Sequence, residues 1–169
     1  MTRFGLIRTA AVYALSASVG ALLLMVPPAA VQGKGPPSKP PAQSVAKKAH
    51  RVVLQVNSDD AAMMTLALNN ATNIEQYYKE LGEPVQIEIV AFGAGLHMLR
   101  DDTSPVKDRI KAIAEKSSSI SFKACGNTEE KMDKAENKKI PLISQATVVK
   151  SGVVRIIELQ EQGWTYVRP

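Results

Sequence analysis

The chain has 169 residues, 45% of them apolar and 22% charged, which suits one globular domain with a proper core and excludes a disordered or fibrous chain. The formal charge of +5 is unevenly placed: six of the 21 basic residues precede residue 49, and none of the 16 acidic residues does. The remainder is nearly neutral, with acids and bases interleaved and no aromatic-flanked basic stripe, so a nucleic-acid partner is not expected.

The N-terminus reads as a targeting segment. Arg3 and Arg8 precede the apolar run AAVYALSASVGALLLMV (10–26), which has the length of a signal core and is short for a membrane span. PPAAVQG follows, with small residues suited to cleavage, so 1–33 is expected to be a signal peptide. The protein is expected to be exported, periplasmic or otherwise extracytoplasmic. The alternative is a retained N-terminal anchor, the one case in which a membrane becomes a partner. A proline- and lysine-rich stretch (34–49) is a semi-extended linker that cannot bury a core, and the folded domain is placed at 50–169.

RVVLQVN (51–57) is a β-branched run that predicts a buried strand. Ser58 is expected to cap the helix that follows. Met63, Leu66, Asn70, Ile74, Tyr77 and Leu81 fall three or four apart, which puts them on one helical face. Asn70 is the polar member of that stripe, suited to a buried backbone group or a subunit contact. Gly82 ends the helix, and VQIEIVAF (85–92) is a second strand with a Gly93-Ala94-Gly95 turn at its carboxyl end. Ser104-Pro105 predicts a helix start. Ser119 to Cys125 is a third strand, and Asn127 with Glu130 resembles a capping box opening a short helix at about 128–136. Ala146–Val149 is a fourth strand, Ser151 caps a last helix that Gly163 ends, and WTYVRP supplies a fifth strand. Alternating strands and helices with short connections predict an α/β fold: a small, doubly wound, mostly parallel five-stranded sheet of the flavodoxin type, helices on both faces. VNSDDAA after strand one is not a phosphate loop, so nucleotide binding has no motif support.

Ligands of such sheets sit beyond the carboxyl ends of the strands. Three segments converge there: Asn57-Ser58-Asp59, Phe92 to Gly95, and Ala124 to Asn127. The third holds Cys125, the only cysteine, so no intramolecular disulfide can form. Just ahead of a helix N-terminus, backbone N–H groups favour the thiolate, the nucleophilic form of the residue. Lys123 and Lys131 would assist and Glu129 and Glu130 oppose. The plainer use of a free cysteine is as a small buried hydrophobe; a third is a redox-sensing thiol. Gly93 and Gly95 serve a tight turn or a close backbone approach. His97, two residues past the turn, is either structural or a base near the thiol. One cysteine and two distant histidines give no metal-ligand spacing, so no metal is expected.

The segments VVLQVNSDD, LALNNATN, VQIEIVAFGAGLHML, FKACGNT and VVKSGVVRIIELQEQGWTYVRP, in that order and spacing, resemble the DsrE/DsrF-like family across residues 51–168, most of all its exported single-domain branch. The resemblance implies the fold just described and homo-oligomers, trimers or hexamers. In better-known relatives, which are cytoplasmic, a cysteine after the third strand carries sulfur as a persulfide, in sulfur oxidation or in a relay that thiolates tRNA. Cys125 occupies the matching place and is the one residue to which the role transfers. Gly126 and Asn127 match the pattern of the branch without a role. The implied function is an exported sulfur carrier or sulfurtransferase-like protein. It would need no organic cofactor or metal, and its partners would be a sulfur donor or acceptor protein or a small thiol. The alternative is a non-catalytic oligomeric binding or assembly module of the same fold.

Overall fold

The computed structural model describes residues 48–169; the expected signal peptide (1–33) and nearly all of the expected linker lie outside them. Five strands form, β1 (His50–Val56), β2 (Val85–Ala91), β3 (Ile120–Cys125), β4 (Ala146–Val149) and β5 (Thr165–Val167). Between them run α1 (Ala61–Glu80), α2 (Lys107–Lys116), α3 (Gly126–Glu136) and α4 (Gly152–Glu161), and a 3-10 helix, Gly93–Leu99, follows β2. All strand pairs are parallel, in the order β4-β3-β2-β1-β5. The chain lays down β1 to β4 in one direction and then returns to add β5 on the far side of β1, so the order reverses between those two strands.

That reversal places helices on both faces, because crossovers between parallel strands keep one hand. On one face Val52, Leu54 and Val56 of β1 and Ile87, Ile89 and Ala91 of β2 pack with residues of α1, α2 and the 3-10 helix. On the other face Val53 and Val90 pack with Ile156 and Leu159 of α4, flanked by Phe92 and Trp164. Period-two alternation along β1 and β2 thus supplies two cores from one sheet. The α/β, doubly wound, flavodoxin-like architecture expected from the sequence is the one observed.

Several local details differ from expectation. Helix α1 buries Met64, Ala67, Leu68 and Ala71, one position away from the expected face, whose Leu66, Tyr77 and Leu81 are exposed. Small Ala67 and Ala71 let the helix axis approach the sheet, which the larger stripe would not. The N-cap of α1 is Asp60, whose Oδ1 accepts from Ala62 N–H at 2.8 Å, while Ser58 Oγ accepts from Asp60 N–H at 3.2 Å. Ser104-Pro105 precedes α2 without capping it; Ser104 Oγ accepts from Val106 N–H at 3.3 Å and donates to Met98 O at 2.6 Å. Helix α3 starts at Gly126, with Cys125 and not Asn127 as its N-cap.

A buried arginine ties the segment after the 3-10 helix to α3. Arg100, 1% exposed, donates to Asp102 (2.9 and 2.8 Å) and Glu136 (2.5 and 2.9 Å), and Lys138 adds a bond to Asp102 at 2.9 Å. The Arg100 hydrogen bonds hold the Asp102 carboxyl well below the usual range and Glu136 at about 2. A carboxylate depressed on folding contributes stability above its ordinary value of about 4 and loses it as pH falls through the folded value. The urea midpoint is therefore expected to fall steeply as pH drops from about 4 towards about 2. In Arg100→Met, less stable throughout, the fall is shallower; equal pH slopes in the two proteins would contradict this role.

Candidate functional site at the carboxyl ends of β2 and β3

The site is built where β3 ends and two helices begin. Cys125 is the last residue of β3 and the N-cap of α3, so the first N–H groups of α3, which have no partner within the helix, surround its side chain. From the opposite face of the sheet α4 delivers its own N-terminus. A Cβ on Gly152, the first residue of α4, would lie 3.0 Å from Phe92 Cβ and 3.2 Å from Cys125 Cβ, so glycine lets that backbone come against the thiol. Gly126 does similar work for α3, since a Cβ there would meet Val148 Cγ1 at 3.2 Å.

The sulfur gathers donors. Burial pushes the Cys125 thiol up, but hydrogen bonds from the Thr128 hydroxyl and from the N–H groups of Gly152, Thr128 and Asn127 outweigh it and leave the thiol below its ordinary value. Two helix N-termini and a hydroxyl thus favour the thiolate with neutral groups. Cys125 itself is 4% exposed. Beside its donors lies an open groove of about 560 Å³ lined by Asn127, Ser151, Lys150, Val154 and Arg155. Arg155 is held by Glu88, at 2.6 Å from Nε, which fixes α4 on the sheet.

A solved structure is similar to this chain: "Structure of Protein of Unknown Function MTH1491 from Methanobacterium thermoautotrophicum", at 31% identity and a TM-score of 0.60, over 71% of this chain and 99% of that one. The chain belongs to the MTH1491 family. No protein-family model and no curated protein matches it. The MTH1491 match covers a share of the chain the size of the described domain, and its title states no activity.

Of the residues singled out in the sequence, some meet and others do not. Asn127 N–H donates to Lys150 O at 3.1 Å, which locks α3 to the segment entering α4. Gly93, at φ +57°, donates its N–H to Thr128 Oγ1 at 3.0 Å. Gly95 is pressed against the end of β1, where a Cβ would meet Val56 O at 2.3 Å. His97 Nδ1 bonds Thr103 Oγ1 at 2.8 Å and is not among the partners of the sulfur. Asn70 lies on α1 and makes no hydrogen bond with the site. Asn57 and Ser58 line a separate crevice of about 210 Å³ with Met63 and Arg168, at the β1/β5 reversal. Glu129, expected to oppose the thiolate, is engaged by Lys139 at 2.6 Å.

Sequence reasoning missed Thr128 and Gly152. Thr128 stands three residues after the cap, the position from which a capping-box side chain reaches back; reading Cys125 as the cap would have exposed it. Gly152 has no such local signal, because its role depends on how α4 crosses the sheet.

Proposed function

We propose that the protein is an exported sulfur carrier of sulfurtransferase type, with Cys125 as the atom that holds sulfur, as its resemblance to the DsrE/DsrF-like family implies. The single observation that carries the reading is the ring of backbone donors that two helix N-termini bring to Cys125, which is the N-cap of α3 and has Gly152, the first residue of α4, packed against its Cβ. Such a ring favours the charged nucleophile, and an equally charged persulfide benefits from the same donors. The Cys125 thiolate attacks the outer sulfur of a sulfane donor such as thiosulfate. A sulfur–sulfur bond forms to Cys125 as the bond to the sulfonate sulfur breaks, and its electron pair leaves with sulfite. An acceptor thiolate then attacks the terminal sulfur of the persulfide, takes it, and returns Cys125 as thiolate. Both steps are exchanges at sulfur and need no outside oxidant.

Assembly is part of the proposal. Val153, Val154 and Ile157 of α4 and Leu66, Tyr77 and Leu81 on α1 are exposed, apolar surface of the kind that subunit contacts cover. The proposed export rests on the apolar N-terminal run; among the described residues no helix is long and apolar enough to cross a membrane.

The second reading, a non-catalytic assembly module, has the 4% exposure of Cys125 in its favour. A sulfurtransfer assay separates the two. With thiosulfate and a small thiol acceptor, the full chain is expected to release sulfite continuously, and Cys125→Ser to fall to the uncatalysed rate. Equal rates for the two proteins would leave the assembly module as the better reading.

A further inference from the structure

We infer that the crevice at the β1/β5 reversal is a binding site for a small organic carboxylate, its charged head held by Arg168 and Gln55 and its short aliphatic body lying on Met63. The site is separate from Cys125 and stands without the sulfur-carrier reading.

The strand order β4-β3-β2-β1-β5 reverses at β1. Open α/β sheets hold ligands in the crevice that such a reversal leaves beyond the carboxyl ends of the strands. Here that crevice measures about 210 Å³. Gln55 and Val56 at the end of β1, Asn57 and Ser58 just after it, Met63 of α1 and Arg168 after β5 line it. It is smaller than the about 300–1,000 Å³ of pockets for drug-sized ligands, and suits a molecule of a few carbon atoms.

The lining has donors to spare. Arg168 is the one charged side chain among the lining residues, and it makes no ion pair or hydrogen bond with a described residue. Tyr166 O–H donates to Gln55 Oε1 at 2.8 Å, which fixes the amide and leaves its NH2 group to donate. Ser58 Oγ accepts from Asp60 N–H at 3.2 Å, and its own proton remains to be given. A guanidinium fork in one crevice with an amide NH2 and a hydroxyl matches the two oxygens of a carboxylate. Half-buried Met63 offers thioether and methylene surface to an aliphatic body. One cation serves one carboxylate. The acids of the adjoining turn do not cancel it: Asp60 Oδ1 is committed to Ala62 N–H at 2.8 Å, and neither Asp59 nor Asp60 lines the crevice.

Butyrate is the probe. In amide NMR spectra of the isotope-labelled full chain, added butyrate is expected to give saturable shifts at Asn57, Ser58, Met63 and the Gln55 side-chain amide, and Cys125→Ser to respond as the parent does. Arg168→Gln, a change at an exposed residue with no described partner to lose, is expected to weaken binding roughly tenfold or more, the scale of a charge-assisted hydrogen bond. Butanol lacks the charge and sulfate lacks the aliphatic body, so neither is expected to give a saturable response at these residues. A chain that shows no saturable shift with butyrate would overturn the assignment, as would an Arg168→Gln protein that binds butyrate like the parent. Sulfate or butanol titrating the same residues as well as butyrate does would overturn it too, since bare charge or bare apolar contact would then suffice.

Discussion

Gly95→Ala is expected to destabilise the domain by about 3 kcal/mol, at the upper end of what overpacking costs, lowering the melting temperature by roughly 10 °C. A Cβ at residue 95 would stand 2.3 Å from Val56 O, 2.6 Å from Val56 C and 2.8 Å from Asn57 Cα. All three are backbone atoms at the end of β1, a strand hydrogen-bonded on both sides. No rotamer change relieves the overlap, so the 3-10 helix must move off the sheet. That helix buries Leu96, Met98 and Leu99 in the larger core, and it carries Gly93, whose N–H feeds Thr128. The damage therefore reaches the first turn of α3, which Cys125 caps. Gly93→Ala is the control: nothing lies within 4 Å of a Cβ there, and only the positive φ is strained, at about 1 kcal/mol. Thermal melts of the two variants check the ranking; a Gly95→Ala protein as stable as Gly93→Ala would show that the close approach is not as described.

The architecture was legible because each strand carries a local signal. β1 and β2 are β-branched runs bounded by turn residues, and β4 begins and ends as expected. Alternation with helices then left the parallel, doubly wound sheet as the economical arrangement. The buried face of α1 was not legible in the same way. Two adjacent stripes on that helix are both apolar, one of Met63, Leu66 and Tyr77, the other of Met64, Ala67, Leu68 and Ala71. Periodicity favours the bulkier one, whereas close approach to a sheet favours the alanines. Apolar surface on the outward stripe is consistent with the proposed assembly.

The site was half legible. A lone cysteine at a strand end before a helix drew attention to Cys125 through chain position, and Gly93 and Gly95 through turn chemistry. Sequence places the cap two residues late because asparagine is a far commoner N-cap than cysteine. That error hid Thr128, which is three residues from Cys125 but only one from Asn127. Gly152 is 27 positions from Cys125 in the numbering and reaches it only because α4 covers the opposite face of the sheet. No spacing rule links the two. His97 and Asn70 were attractive by residue type, and the fold spends them elsewhere: His97 on Thr103, Asn70 on the surface stripe of α1.

The second large effect concerns the thiol itself. Replacing Cys125 by serine changes one atom in a nearly fully buried position, so the fold is expected to persist with its helix starts intact. Sulfur uptake is expected to vanish altogether, since a hydroxyl in the same ring of donors is not ionised at neutral pH and forms no persulfide. Thiolate formation and sulfur loading are also expected to rise together with pH until the thiol is fully ionised, because only the thiolate attacks. Intact mass of the full chain after incubation with thiosulfate tests the central claim most directly. The sulfur-carrier account predicts a species heavier by one sulfur atom, located at Cys125, removed by added thiol and absent from Cys125→Ser. A chain whose mass never changes, under conditions where its thiolate is present, would contradict it.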